Sequence, residues 1–157
     1  MPSPRLPVML GSALIGLAAI ATAPTANERE ARARPGDDTS GRPQRGEASY
    51  YHPSLQGRPM ANGERFDAQS NSAASRSLPL GTTARVTNLR NGRTATVEVE
   101  DRGPYARRRI LDVSPRTAEQ LDMRRNGTAR VEVAPIDVPQ RDGSRRPGAG
   151  ATGGAPQ

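Results

Sequence analysis

Two short alternating runs joined by an Asn-Gly turn constrain this chain most. Ala84–Leu89 reads Ala-Arg-Val-Thr-Asn-Leu, and Thr94–Glu100 reads Thr-Ala-Thr-Val-Glu-Val-Glu. Side chains alternate across a strand, so Ala95, Val97 and Val99 share one face. Between the runs, Arg90-Asn91-Gly92-Arg93 supplies the Asn-Gly pair that favours a tight hairpin. The second run ends in Asp101-Arg102-Gly103-Pro104, where Gly and Pro force the chain to turn away. A carboxylate is thereby held at a strand end. General acid catalysis needs a carboxylate fixed in this way. A strand-end Asp can equally do no more than cap a turn.

The rest of the middle of the chain is also mostly β. Ala48–Tyr51 and Arg109–Val113 read as short strands, and Thr128–Ala134 as the last strand, with Ala129, Val131 and Val133 inward. Ser114-Pro115 has the signature of a helix N-cap followed by proline at the first helical position. Thr117–Met123 completes a short helix with Ala118, Leu121 and Met123 inward, and Asn126-Gly127 ends it. A long loop covers 52–72. Several short strands, one helix and one long loop suit a small barrel closed on itself. The pattern does not choose among small barrels.

The flanks differ in kind. Met1–Arg5 is short and positive, Leu6–Ile20 is mostly apolar, and Ala19-Ile20-Ala21 fits a cleavage site. This layout predicts a secretory signal peptide over 1–21. The apolar run is shorter than the roughly 20 residues needed to span a bilayer. Residues 22–45 and 139–157 are polar, rich in Arg, Gly and Pro, and read as a disordered linker and tail. The folded part is therefore expected over 46–138. With 33% hydrophobic and 3% aromatic residues, its core must be small and built from Val, Leu, Ile and Ala. The chain has no cysteine, which removes disulfides, thiolate metal sites and lipid attachment through an N-terminal Cys. The expected product is a secreted or periplasmic monomer that is not a lipoprotein and is not inserted in a membrane after cleavage.

All 23 basic residues are arginine, and the net charge is +7. Such a surface is drawn to polyanions, although an all-arginine surface also follows from base composition and solubility. The chain lacks a nucleic-acid recognition motif and is poor in aromatics, so specific nucleic-acid binding is not expected. One His and scattered carboxylates give no metal-ligand spacing, and there is no phosphate-binding or dinucleotide fingerprint. No metal and no cofactor are expected.

Six motifs, in order, resemble the rare lipoprotein A (RlpA) family. Gly46-Glu47-Ala48-Ser49-Tyr50-Tyr51 is similar to that family's G-x-A-S-W/Y-Y, and Gly57-Arg58-Pro59-Met60-Ala61-Asn62-Gly63-Glu64-Arg65-Phe66-Asp67 to its G-R-x-T-A-N-G-E-x-F-D. Leu78-Pro79-Leu80-Gly81-Thr82 is similar to L-P-x-G-T, and Val86-Thr87-Asn88-Leu89 with Asn91-Gly92-Arg93 to V-T-N-x-x-N-G-R. Asp101-Arg102-Gly103-Pro104-Tyr105 is similar to D-R-G-P-F/Y, and Arg109-Ile110-Leu111-Asp112-Val113-Ser114 to R-x-I-D-L-S. The resemblance implies a six-stranded double-psi β-barrel with one short helix. It also implies a lytic transglycosylase acting on peptidoglycan glycan strands.

Such an enzyme cleaves the β-1,4 bond between N-acetylmuramic acid and N-acetylglucosamine and leaves 1,6-anhydro-muramic ends. One carboxylate can serve as acid and then base, and Asp101 is the candidate. Glu64 and Asp67 form a second carboxylate cluster on the long loop. Glu64, a second catalytic candidate, either shapes or polarises the cleft or pairs with an arginine; Asp67 either supports the cleft or caps local amides. Tyr51, Asn62 and Asp112 match motif positions as substrate-binding or cleft-supporting residues. Arg102 either faces the Asp101 carboxylate or points elsewhere. One departure stands out: Ser75 occupies the position of the family's active-site His. A hydroxyl can orient Asp101 or a sugar hydroxyl, but it cannot carry a proton charge near neutral pH. The alternative is therefore a non-catalytic, expansin-like barrel that binds peptidoglycan. His52, the single His, has no matching role.

Overall fold

In a computed structural model, the structure describes residues 32–152. The signal peptide and the first part of the linker lie outside the described residues. The strands are β1 (Gln44–Tyr50), β2 (Ser72–Ser75), β3 (Thr83–Asn88), β4 (Thr94–Asp101), β5 (Arg109–Val113), β6 (Ala129–Pro139) and β7 (Arg145–Pro147). Among the described residues one α-helix, α1, spans Pro115–Gln120, and short 3-10 turns lie at Pro53–Leu55 and Ala149–Ala151. The strand order is β1-β5-β2-β4-β3-β6-β7, and β1 also pairs with β6. That last pairing closes a six-stranded barrel with β7 added outside it. β1 runs parallel to β5 and β2 parallel to β4, while the remaining pairs are antiparallel. Two parallel pairs inside a closed six-stranded barrel fit the double-psi topology that the resemblance implies.

The β3–β4 hairpin forms as expected, with Ala84 opposite Val97 and Val86 opposite Ala95. Its connection, 89–93, is longer than a tight two-residue turn. Asn88 donates its N–H to Arg93 O at 2.9 Å, and Asn91 Oδ1 accepts the Arg93 N–H. Both Asn88 and Asn91 donate side-chain N–H groups to Leu121 O, which ties the hairpin to the end of α1. α1 starts as expected: Ser114 Oγ accepts the Thr117 N–H at 3.2 Å, and Pro115 follows. Ala118, Leu121 and Met123 are fully buried. The helix stops at Gln120, before the expected Met123, because Asp122 takes a left-handed conformation with φ 53°.

The core is aliphatic. Leu78, Leu80, Leu111, Leu121, Met123 and seven valines are its largest fully buried side chains. β2, Ser-Ala-Ala-Ser, escapes a hydrophobic pattern because its small residues sit between β4 and β5 and all are buried. β6 runs past the expected end at Ala134. Its register against β3 shifts between Thr83 and Ala84, and Pro135 sits at that irregularity, where a missing N–H is tolerated.

Of the flanks, residues 32–45 and 139–152 lie within the described part of the chain and pack against the barrel. Ala33 is buried, Asp38 N–H donates to Ser77 O at 2.7 Å, and Ala149 N–H donates to Gly41 O at 2.9 Å. β7 pairs with the end of β6, and Arg145 bonds both Asp137 and Gly81 O. These segments are held by backbone hydrogen bonds and ion pairs, which leave no apolar periodicity to read.

Candidate active site

Asp101 is the last paired residue of β4, set against Ala74 of β2. The chain then leaves the barrel through Gly103, whose φ of 125° is one that L side chains rarely adopt. Ala74 also faces Asp112 on β5, and Asp112 faces Ser49 on β1. One row across adjacent strands thus reads Ser49, Asp112, Ala74, Asp101, with the two carboxylates flanking an alanine.

The long loop returns over this row. Asp101 Oδ1 accepts the backbone N–H of Ala61 at 2.9 Å and that of Arg102 at 2.9 Å. Oδ2 accepts the Tyr51 hydroxyl at 2.8 Å. A carboxylate has about four acceptor positions, so the position left open is on Oδ2. The Tyr51 ring packs on Phe66 with centroids 4.5 Å apart. Burial, then the Asp101 hydrogen bond, pushes the Tyr51 phenol well above its usual pKa. It therefore stays a donor. Tyr51, Leu55, Arg58, Pro59, Met60, Phe66 and Asp101 line a cleft of about 210 Å³. Asp101 is the one carboxylate in that lining. A larger depression, about 460 Å³, lies between Ser70, Asn71, Thr94, Thr96, Arg116 and Gln120. It contains no acid, so the chemistry points to the smaller cleft.

The other expected residues take different places. Asn62 builds the turn beside Asp101: its N–H donates to Glu100 O and its Oδ1 accepts the Glu64 N–H. Glu64 is exposed on that turn and does not line the cleft. Among the described residues no arginine pairs with it. Asp67 is also exposed, and its Oδ1 accepts the Gln69 N–H at 3.0 Å, a local cap rather than a cleft contact. The Arg102 side chain turns away from Asp101, giving Nη1 to Leu78 O at 2.7 Å and Nη2 to Asp37. Asp112 accepts the Ser49 hydroxyl and an Arg109 N–H, so it braces the β1–β5 wall. His52 caps the first 3-10 turn through Nδ1.

Ser75 lies inside the barrel wall. It is 1% exposed, and its Oγ accepts the N–H groups of Ser77 at 3.3 Å and Leu78 at 3.1 Å. A sugar hydroxyl does not reach it, and the Asp101 carboxylate takes its hydrogen bonds elsewhere. Sequence reasoning missed Met60, Phe66 and the Ala61 N–H, which complete the cleft and the acid's cradle. Phe66, the single Phe of the chain, was the available signal. Glu100 was also missed. Half-buried, it accepts the Ser72 hydroxyl. Burial first, then the nearby Glu98 and Glu64 charges, raise its pKa against the opposing Ser72 bond.

Known proteins are similar to this chain in sequence. A protein of Treponema pallidum, described as a probable endolytic peptidoglycan transglycosylase RlpA, is 50% identical over 92 residues, covering 59% of this chain and 29% of the relative. The endolytic peptidoglycan transglycosylase RlpA of Campylobacter jejuni is 44% identical over 91 residues, covering 58% of this chain and 33% of the relative. The chain thus spans about a third of the length of these relatives. Among solved structures, the apo Clavibacter michiganensis expansin aligns with a TM-score of 0.46 at 23% identity, covering 60% of this chain and 50% of that one. The family model described as "Lytic transglycolase" matches residues 43–133, more than half of the chain. With this match and its double-psi β-barrel, the chain belongs to the lytic transglycolase family.

Proposed function

We propose that this barrel cleaves the β-1,4 bond between N-acetylmuramic acid and N-acetylglucosamine in peptidoglycan glycan strands. Asp101 is the acid/base. The observation that carries this reading is a single carboxylate in the cleft, fixed by three donors, with an acceptor position open on Oδ2. Hydrolysis of such a bond usually takes two carboxylates, one of them for the attacking water or the sugar itself. Lytic transglycosylation needs one. Protonated Asp101 gives its proton to the glycosidic oxygen as the bond to the muramic anomeric carbon breaks. The 6-hydroxyl of the same muramic residue attacks that carbon, and Asp101 takes the hydroxyl's proton. The products are a free 4-hydroxyl and a 1,6-anhydro-muramic end, and the acid is regenerated. The same reading places the protein outside the cytoplasm once residues 1–21 are removed.

Asp101→Asn tests it. The amide is nearly isosteric and cannot cycle a proton, and general acid–base catalysis contributes roughly 10²–10⁴-fold. Cleavage of purified, peptide-free glycan strands, with products weighed by mass spectrometry, is expected to disappear while glycan binding stays. Wild-type cleavage by the purified variant excludes Asp101. If neither protein cuts and both bind, the chain is a glycan-binding barrel.

A further inference from the structure

We propose that Asp37, on the segment before the barrel, is a positioning residue for Asp101: it locks Arg102 and thereby aims the N–H that Asp101 Oδ1 accepts. The proposal rests on the reading of Asp101 as acid/base. Arg102 has two tasks. Its backbone N–H donates to Asp101 Oδ1 at 2.9 Å, while its guanidinium reaches in the other direction, under the barrel end. There Nη1 donates to Leu78 O at 2.7 Å and to Ser75 O at 3.5 Å. Nη2 meets both Asp37 oxygens, at 3.1 and 3.2 Å. The side chains are 19% and 7% exposed, so solvent screens this pair little.

The anchor matters because no strand partner holds the Arg102 backbone, and Asp37 is the charged group among its side-chain partners. β-ladder pairing ends at Asp101. Gly103 follows, with φ 125°, and glycine resists rotation least. The direction of the Arg102 N–H is therefore set by where its side chain is tied. The tie is itself rigid. Asp37 Oδ2 accepts the Arg34 N–H at 2.8 Å, and Asp37 N–H donates back to Arg34 O at 3.1 Å, closing a turn. Next to it, Asp38 N–H donates to Ser77 O and pins the turn to the barrel. An arginine fork that spans a carboxylate and two carbonyls at once is a geometry that a lysine cannot reproduce. Asp37 lies before the family-matched stretch 43–133, so this brace is contributed by the N-terminal arm rather than by the matched domain.

The test uses the full chain carrying Asp37→Asn, with two readouts. The first is hydrogen exchange at the Arg102 amide, expected to quicken at least about tenfold as the local brace opens, while Val86 and Val97 in the core hold their rates. The second is cleavage of peptide-free glycan strands. Here kcat is expected to fall by about 10- to 100-fold with KM unchanged, the scale of misplacing a catalytic group by about an ångström. Asp37→Glu, which keeps the charge, is expected to restore most of the rate. Asp38→Asn, on the same arm but bonded to Ser40 and Gln44, is expected to change neither readout. If Asp37→Asn does not fold, Arg102→Lys carries the same two measurements. Unchanged exchange at Arg102, or faster exchange with kcat intact, overturns the proposal. A wild-type chain that cuts no glycan sinks the transglycosylase reading and leaves the exchange result to decide this one by itself.

Discussion

Asp101 owes its geometry to Tyr51 just past β1, Ala61 in the long loop, and its own neighbour Arg102. Of these donors Tyr51 is the one that can be removed without touching the backbone. Tyr51→Phe keeps the ring against Phe66 and deletes one hydrogen bond to a charged group, worth roughly 1.5–3 kcal/mol. At about 1.4 kcal/mol per tenfold, cleavage is expected to slow by roughly 10- to 100-fold. Binding of glycan, measured by titration, is expected to hold. A rate equal to wild type excludes Tyr51 from the acid's support. Ser75 makes the opposite case. Its hydroxyl holds two backbone N–H groups inside the wall, so Ser75→Ala is expected to cost about 1–3 kcal/mol of stability, read by urea unfolding, with cleavage per folded molecule unchanged. A rate loss without a stability loss returns Ser75 to the site. The place of Asp101 at the end of β4 was legible because a strand pattern ran into a forced turn. The true setting of Ser75 was not, because aligning a position to a histidine says nothing of where a shorter side chain points. Nor does sequence reveal a backbone N–H such as that of Ala61.

The β2–β4 pair carries the element-scale argument. The parallel ladder sets Ser72 opposite Glu98, and the Ser72 hydroxyl donates to Glu100, the half-buried residue just before Asp101. Burial lifts the Glu100 pKa above its ordinary 4.5. The folded chain then holds that proton to higher pH than the unfolded chain does. Between the two pKa values the native state binds more protons, so this group's contribution to stability falls as pH rises through that window. Above the window its penalty is constant; below about 4.5 it vanishes. Glu100→Gln keeps an acceptor for Ser72 and removes the charge. Its Tm is expected to exceed that of wild type at pH 7, with the gap closing toward pH 4. A constant gap across that range contradicts the linkage. The hairpin, β5 and the start of α1 were readable because each has its own signal: alternation, an Ile-Leu-Asp-Val stretch, a Ser-Pro cap. β2 had none. Four small residues gain their burial from the strands on either side, and neighbours are a property of the closed barrel rather than of the segment.

The whole molecule is larger than its family-matched barrel. The N-terminal arm and the β7 extension wrap the same end and meet through Gly41 and Gly148. Neither extension buries large apolar side chains; backbone pairing holds the described part of each against the barrel. Close approach is what makes that pairing possible. Gly148 has an ordinary extended backbone, φ −100°, ψ −177°, so its lack of a side chain serves space and not conformation. A Cβ there would lie 2.3 Å from Pro135 O and 2.9 Å from Pro135 C. Those are backbone atoms of β6 and cannot swing aside. Gly148→Ala is therefore expected to push the extension off β6 and break the Gly148 N–H bond to Ile136 O, 3.0 Å in the intact protein. Amide exchange should quicken at Gly148, Ala149 and Ala151 while Val86, Val97 and Val131 in the barrel keep their rates. Tm should fall by a few degrees, about 4–8 °C for each kcal/mol in a domain of this size. The Asp101 cleft is built by β1, β4 and the long loop, so glycan cleavage below the melting range should not change. If exchange and Tm both match the wild type, the extension is docked by something other than this contact.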